Sequence, residues 1–449
     1  MHRLSGGRPT GRDECVPTGG EGLAVPETRL TTVAAMRRVP RPLLVYTAAL
    51  GVGDLGLGLA RLAVPWLVYN LTHSATALGL IAFAQMSSAW FGPFVAVVAD
   101  RVDRKWGPVA AVTGGGGALA GIALLAGLPH PPLVALVALA LVQQLFNSLL
   151  MQSNGALRAA LTPPEARVGL NTWQITVFNV SWYLSPGVAG LLIAAHGAAF
   201  TIWLASLSAI LVIVAALFLP SVPAAPAGAG ARNPLRDLDE AFVSLKTDRE
   251  MLWLAYFGLF WNSIWAGVSA VAVYFYRTNL HLGATLVGLL SLVAGAATTG
   301  VGLCTPAFER RLSARHVLTG TLALSGVGML LLALSPSWPV AAAGLGGMEA
   351  PFTPFEVLVT TTTQARVPAD RFARVLAMRQ LIGMGGMPIV SLLGGVLAHL
   401  LGASVAIGAF GALSLIATPL VARTPLARLA WPAADAGPAG AAPAETAPL

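Results

Sequence analysis

Twelve apolar runs follow one another at about 43–69, 76–98, 106–127, 132–155, 169–194, 199–219, 252–275, 284–307, 316–335, 338–360, 376–398 and 402–422. Each is long enough to cross roughly 30 Å of hydrocarbon as a helix, which takes about 20 mostly apolar residues. Breaks such as LPHPP (128–132) and SPSWP (335–339) are places where proline cannot continue a helix. Of the 449 residues, 56% are hydrophobic and 10% are charged, too little charge to cover the surface of a soluble protein of this length. The fold expected is an all-α integral membrane protein of twelve transmembrane helices.

The cations sort by loop. With the N-terminus inside, the inner segments hold Arg37, Arg38 and Arg41, then Arg101, Arg104 and Lys105, then Arg158 and Arg167, then Arg232, Arg236, Lys246 and Arg249. The later inner segments hold Arg310, Arg311 and Arg315, then Arg366, Arg371 and Arg374, then Arg423 and Arg428, whereas the outer loops hold only Arg277. Such asymmetry places both termini in the cytoplasm. The net charge of +8 therefore belongs to loops between apolar runs and points to a bilayer, not to nucleic acid. Cys15 and Cys304 have no disulfide or metal partner in the sequence, and the seven histidines show no ligand spacing.

Residues 1–42 contain no apolar stretch of a signal peptide and read as a disordered cytoplasmic tail, as do residues 424–449 at the other end. The segment 220–251 opens with the flexible SVPAAPAGAGARNP and continues as DLDEAFVSLKTDREM, where Leu238, Phe242 and Leu245 recur at helical spacing among charges. That suits a short amphipathic helix on the inner membrane face. The linker divides the chain into a bundle of six spans over 43–219 and another over 252–423. The halves echo each other: DRVDRK answers ERRLSAR, PPEARV answers VPADRFARV, and Pro186 and Pro388 both lead into Gly-rich stretches. Six-helix repeats packed around a midplane cavity are a transporter architecture.

Three stretches carry a family resemblance. GPFVAVVADRVDRKWG resembles the loop 2–3 signature of the major facilitator superfamily. LNTWQITVFNVSWYLSPGVAGLLIAAHG and TTTTQARVPADRFARVLAMRQLIGMGGMPIVSLLGGVLAHLLG resemble the fifth and eleventh helices of its bacterial drug- and siderophore-exporter branch, the transmembrane secretion effectors. Ala96 and Asp103 replace glycines of the superfamily pattern, and Trp182 stands where the branch usually has arginine. The resemblance implies that Asp100, with Arg101 and Arg104, locks the cytoplasmic side against the partner half. A carboxylate facing the N-terminus of helix 11, near Phe372–Val375, would gain from the helix dipole.

Charged residues inside a bilayer cost about 2.5–3.5 kcal/mol or more each, which makes them functional candidates. There are five: Asp54 and Arg61 on helix 1, Glu349 and Glu356 on helix 10, and Arg379 near the start of helix 11. Seven residues make nearly two turns, so Asp54 shares a face with Arg61 and Glu349 with Glu356. Arg61 would pair with Asp54 or, failing that, with Glu349. A carboxylate left unpartnered at such a depth takes up a proton, the chemistry a proton-coupled exporter needs. Glu349 is the expected coupling carboxylate and Glu356 its relay toward the cytoplasm. MEAPFTPFE (348–356) loses two backbone donors to Pro351 and Pro354, and irregular backbone at this depth is tolerated where it lines a cavity. Gln85, Gln143, Asn147, Asn179, Trp261, Asn262 and Trp265 complete a cavity of aromatic walls and a few polar groups.

No P-loop and no HExxH appears, so neither ATP-driven nor metalloenzyme chemistry is expected, and no cofactor or metal. The reading is a monomeric secondary transporter in a bacterial plasma membrane, exporting a small amphiphilic drug, antibiotic or siderophore-like molecule in exchange for protons. Uptake or uniport of a small metabolite is the alternative within transport, and a non-transporting receptor or scaffold the alternative outside it.

Overall fold

The computed structural model describes residues 39–101, 103–221 and 234–431. The tails and the Gly/Ala-rich start of the central linker lie outside the described residues. So do the side chains of some helical positions, Asp100, Arg101, Arg371 and Arg374 among them. Regular structure among the described residues is entirely helical. The first half comprises α1 (Arg41–Thr72), α2 (Ala75–Met86), α3 (Ser88–Arg101), α4 (Trp106–Leu125), α5 (Leu133–Leu161) and α6 (Arg167–Leu217). The connector is α7 (Pro234–Thr247). The second half comprises α8 (Arg249–Thr278), α9 (Ala284–Leu303), α10 (Thr305–Arg311), α11 (Ala314–Ala333), α12 (Trp338–Glu349), α13 (Phe352–Arg366), α14 (Ala369–Gly385), α15 (Met387–Leu401) and α16 (Ala403–Val421).

Nine helical stretches among the described residues are long and apolar enough to span a membrane, one of them, Val375–Leu401, running through α14 and α15. The difference from the twelve apolar runs has local causes. The second run is interrupted at Ser87, whose hydroxyl donates to the Ala84 carbonyl at 2.7 Å, leaving α2 and α3 each short of a span. The tenth run is interrupted at Ala350–Pro351, leaving α12 and α13. The fifth and sixth runs follow one another without a loop in α6, whose helical stretches 167–196 and 198–217 meet at Gly197 and are each long enough to cross the hydrocarbon. Gly197, at φ 86° and ψ 167°, bends α6 in its middle, in a backbone region essentially closed to other residues. The short segment expected at 195–198 is thus one glycine rather than a loop.

The repeat seen in the sequence recurs in the backbone. Gly402, at φ 88° and ψ 151°, separates α15 from α16 as Gly197 divides α6. The two positive-φ residues other than glycine among those described are His73, after α1, and His281, after α8. Ser74 caps α2 by accepting from the Ala77 N–H, and Asp248 caps α8 by accepting from Glu250 and Met251.

The halves meet along two glycine seams. α2 packs on α15, where a Cβ on Gly79 would lie 2.8 Å from the Gly395 Cα. α6 packs on α9, where a Cβ on Gly190 would lie 3.0 Å from the Gly288 Cα. Small residues let membrane helices approach to backbone contact. Both seams lie toward the end of the molecule opposite the cation-rich loops. That end, here the far end, holds one apolar core shared by both halves, with Ile81, Ile122 and Ile202 from the first and Val271, Leu290 and Ile407 from the second. At the basic end the cores separate. Leu43, Tyr46, Leu157 and Leu170 belong to a cluster of the first half, and Leu254, Leu318, Phe355 and Leu358 to a cluster of the second. There the contacts between halves run through α3, which meets α14 and the connector α7.

Candidate functional site

Three groups of charged side chains sit within the spans. The first lies between the halves. Arg61 of α1 stacks its guanidinium on Trp182 of α6, with Cζ 3.1 Å from the ring centroid. It interacts electrostatically with Glu349, at the end of α12 across the interface, and with Tyr183 of α6 in its own half. Glu349 accepts a hydrogen bond from the Trp265 side chain of α8, and Tyr183 is hydrogen-bonded to Thr298 of α9. Five helices from both halves thus converge on one cation and one carboxylate. The Arg61 Nη1 and the Tyr276 hydroxyl are buried without a hydrogen-bond partner, so the cluster keeps unused polar capacity.

The second group is inside the first half. Asp54 lines a pocket between α1, α4, α5 and α6 with Gln143, Asn147, Gly115, Gly116 and Ser208. The charge it interacts with is Arg158 of α5, and Tyr46 shares that neighbourhood. The Asn147 Oδ1 is buried and unpartnered. Asp54 and Arg61 therefore serve different surroundings although they share a helix face. About 10 Å of axial separation takes one into the first half and the other to the interface. The third group is Glu356 of α13 with Arg379 of α14, the latter 9% exposed with its Nε unpartnered.

The polar and aromatic candidates scatter. Trp265 reaches the central cluster, and Asn179 is exposed on α6. Gln85 is half-buried, its carbonyl accepting from the Gln144 side chain. Gln143 and Asn147 face the pocket of the first half instead of the space between halves. Trp261 is a correction: it is 1% exposed, donates to the Ser325 Oγ at 3.0 Å and packs on Phe352 and Phe355, in the core of the second half and off any cavity wall. Asn262 is buried as well and donates to the Gly383 carbonyl at 3.1 Å. Together with the bond from Trp90 Nε1 to the Gly385 carbonyl at 2.8 Å, this holds the last turn of α14, where Pro388 supplies no N–H to continue the ladder.

In the loop after α3, Asp100 and Arg101 lie at the helix end with side chains outside the described residues, and Arg104 is half-buried. Its neighbours are tied to α6 of the same half. Asp103 accepts from the Ser221 hydroxyl at 2.7 Å and the Lys105 N–H at 2.8 Å, and Lys105 Nζ donates to the Leu217 carbonyl at 2.8 Å. The Ser221 hydrogen bond, then that of the Lys105 backbone, holds the Asp103 carboxyl below its ordinary value.

The Major Facilitator Superfamily matches residues 47–365. The chain belongs to this superfamily. It is a multi-pass membrane transporter and not an enzyme. Among curated proteins, the Enterobactin exporter EntS of Citrobacter koseri is 29% identical over 258 residues, 56% of this chain and 61% of that protein. The protein of the same name from Shigella flexneri is 30% identical over 192 residues, 42% of this chain and 46% of that protein. The chain thus matches about half the length of these relatives. Among solved structures, the nucleoside transporter NupG superposes with a TM-score of 0.69 at 13% identity, covering 85% of this chain and 98% of that one. The peptide transporter POT in complex with sulfate superposes with a TM-score of 0.68 at 14% identity, covering 88% and 96%. These likenesses establish the major facilitator fold.

Residues missed in the sequence now stand at the centre of the superfamily fold. Trp182 was visible only as a departure from the branch pattern, and its ring is the platform for Arg61. Tyr183 and Thr298 had no sequence signal, because a single hydroxyl in an apolar run looks like ordinary helix packing.

Proposed function

We propose that the protein exports a small amphiphilic molecule by alternating access, with the basic end in the cytoplasm of a bacterial cell. The observation that carries this reading is the arrangement of the cores: one core across both halves at the far end, separate cores at the basic end. That is the form of a carrier whose binding space opens toward the basic end, and rocking the halves about the glycine seams would reverse it. The curated relatives named as enterobactin exporters support export of a siderophore-like compound. The aromatic walls at Trp182, Tyr183 and Trp265 suit an amphiphile with a planar part.

Coupling is assigned to Glu349. It is the one carboxylate in the cluster between halves, and Arg61 reaches it from the opposite half. A proton on Glu349 removes the charge that Arg61 faces and loosens the halves, so proton loading and conformational change are linked. Glu356, held by Arg379, stands nearer the basic end as a relay. Asp54 is the second carboxylate that could carry a proton, in a pocket that does not require the other half.

Flux in proteoliposomes tests both parts. Wild type should accumulate substrate when a pH gradient is imposed. Glu349→Gln, which mimics the protonated side chain, should exchange substrate across the membrane yet fail to concentrate it. Accumulation by Glu349→Gln at the wild-type rate would transfer the coupling role to Asp54, and Asp54→Asn would then abolish it.

A further inference from the structure

The far end contains an exception to the distribution of charge. Arg277, in the last turn of α8, is the only Asp, Glu, Lys or Arg between Glu250 and Glu309. It lies on the side where the positive-inside bias disfavours a cation. Its surroundings account for it. The guanidinium Cζ lies 4.9 Å from the Trp66 ring centroid and 5.4 Å from that of Tyr69, both on α1 of the opposite half. Both distances fall within the range at which a ring face attracts a cation. Nη1 donates to the Leu282 carbonyl at 3.1 Å, which fixes the side chain against its own half. Tyr69 also meets the Tyr274 ring edge-on at 6.0 Å, so α1 and α8 are joined here by aromatic and cationic contacts together. Trp66 and Tyr69 are buried, and Arg277 is half-buried with its Nε unpartnered.

We propose that Arg277 is the latch of the far-end gate: a positioning residue that holds α8 of the second half on Trp66 and Tyr69 of the first and must release when that end opens. The seams at Gly79–Gly395 and Gly190–Gly288 allow the halves to approach but contain no group that recognises the partner. The Arg277 clamp is directional. A guanidinium between two ring faces is desolvated in the closed arrangement and returns to water in the open one, so its contribution exists in one state only. Such a contact moves the equilibrium between states without touching substrate. The core shared by the halves at that end is apolar, and Arg277 is the one Asp, Glu, Lys or Arg side chain beside it toward the loops of the far end, among the described residues. This proposal rests on the rocking of the halves described above.

Two single-cysteine reporters test it, in full-length protein carrying Cys15→Ser and Cys304→Ser and held in lipid nanodiscs. Ala398→Cys places a thiol on α15 at the far-end seam, where the native side chain is 2% exposed. Asn179→Cys places one on the exposed face of α6 in its basic half. Arg277→Ala should speed maleimide labelling of the first by roughly 2- to 30-fold, the range expected for a cation–π contact, and slow labelling of the second. Arg277→Lys keeps the charge without the planar fork and should fall between. Trp66→Phe, which keeps a buried ring and weakens the cation contact, should act in the same direction and serves if Arg277→Ala does not fold. Faster labelling of both reporters together would mark Arg277 as merely structural and overturn the latch. So would an unchanged Ala398→Cys rate in a protein where Gly79→Ala still moves the reporters in opposite directions. If no variant moves them oppositely, the rocking itself is refuted.

Discussion

Adding one methyl group at Gly79 should turn the carrier away from the state described. The new Cβ would lie 2.8 Å from the Gly395 Cα and 3.1 Å from both the Gly395 nitrogen and the Ser391 carbonyl oxygen. All three are backbone atoms, so no side chain can swing aside and the helices must separate. Overpacking of this kind costs about 1–3 kcal/mol. The cost falls on the state in which α2 and α15 touch, while the helix-propensity gain of alanine over glycine is common to both states and cancels. The ratio of far-end-closed to far-end-open molecules should therefore fall roughly 5- to 150-fold. Pulsed electron resonance between spin labels at Leu71 and Leu401, both exposed near the far end, reads that ratio directly. A second pair at Trp106 and Leu312, exposed at the basic end, should report the reverse movement. Gly117→Ala and Gly300→Ala, where a Cβ meets nothing within 4 Å, are the controls. Gly395→Ala should reproduce the effect, and the double variant should cost less than the sum because both methyls clash at one contact. A distance distribution for Gly79→Ala identical to wild type would refute the pivot.

Other expectations follow from single contacts. Arg61→Ala removes the cation facing Glu349, so the desolvated carboxyl beside Trp265 should keep its proton at neutral pH and transport driven by a pH gradient should fall; adding Glu349→Gln should then change thermal unfolding in detergent little further. Trp261→Phe removes the hydrogen bond to Ser325 while keeping most of the packing and should destabilise by about 0.5–1.5 kcal/mol, with substrate affinity unchanged because the ring is off the cavity. Arg366→Ala severs bonds to Asp248 at 3.1 Å and Glu250 at 2.5 Å; with side chains 25–35% exposed, the loss should be about 0.2–1 kcal/mol and should vanish when unfolding is measured in high salt. Asp103 has a carboxyl held below the ordinary value of 3.8, so its contribution is complete above that pH and disappears as the pH falls through its lower folded value. Ser221→Ala should narrow that difference and lessen the pH dependence of stability below pH 3.8, and an identical acid unfolding profile would show the bond to be idle.

How much of this could be read in advance differs between levels. The apolar runs are long and the solvent is a bilayer, so length alone located nearly every helix. Helix breaks were partly visible. Pro351 announced the interruption of the tenth run and the gap between the fifth and sixth runs located the break at Gly197, whereas Pro186 lies inside the first stretch of α6 and interrupts nothing. Proline's missing N–H is tolerated where the surrounding helix holds. The five intramembrane charges were also plain, because insertion cost makes each exceptional. Their partners were not. Helical spacing gives the direction in which Asp54 and Arg61 point, but what stands opposite at each depth is a property of packing. The same limit applies to Trp261, which has the composition of a cavity wall and the burial of a core residue.

The unequal union of the two halves has a consequence for tempo. Leaving the state described means parting a continuous apolar core in which Ile81, Val271, Leu290 and Ile407 are all but inaccessible, together with the Arg277 clamp and both glycine seams. Closing the basic end has no comparable bond to break. If the halves rock as proposed, the cycle has a resting posture and an uphill stroke: opening the far end is its slow step, and a carrier short of driving force should wait with its binding space open at the basic end.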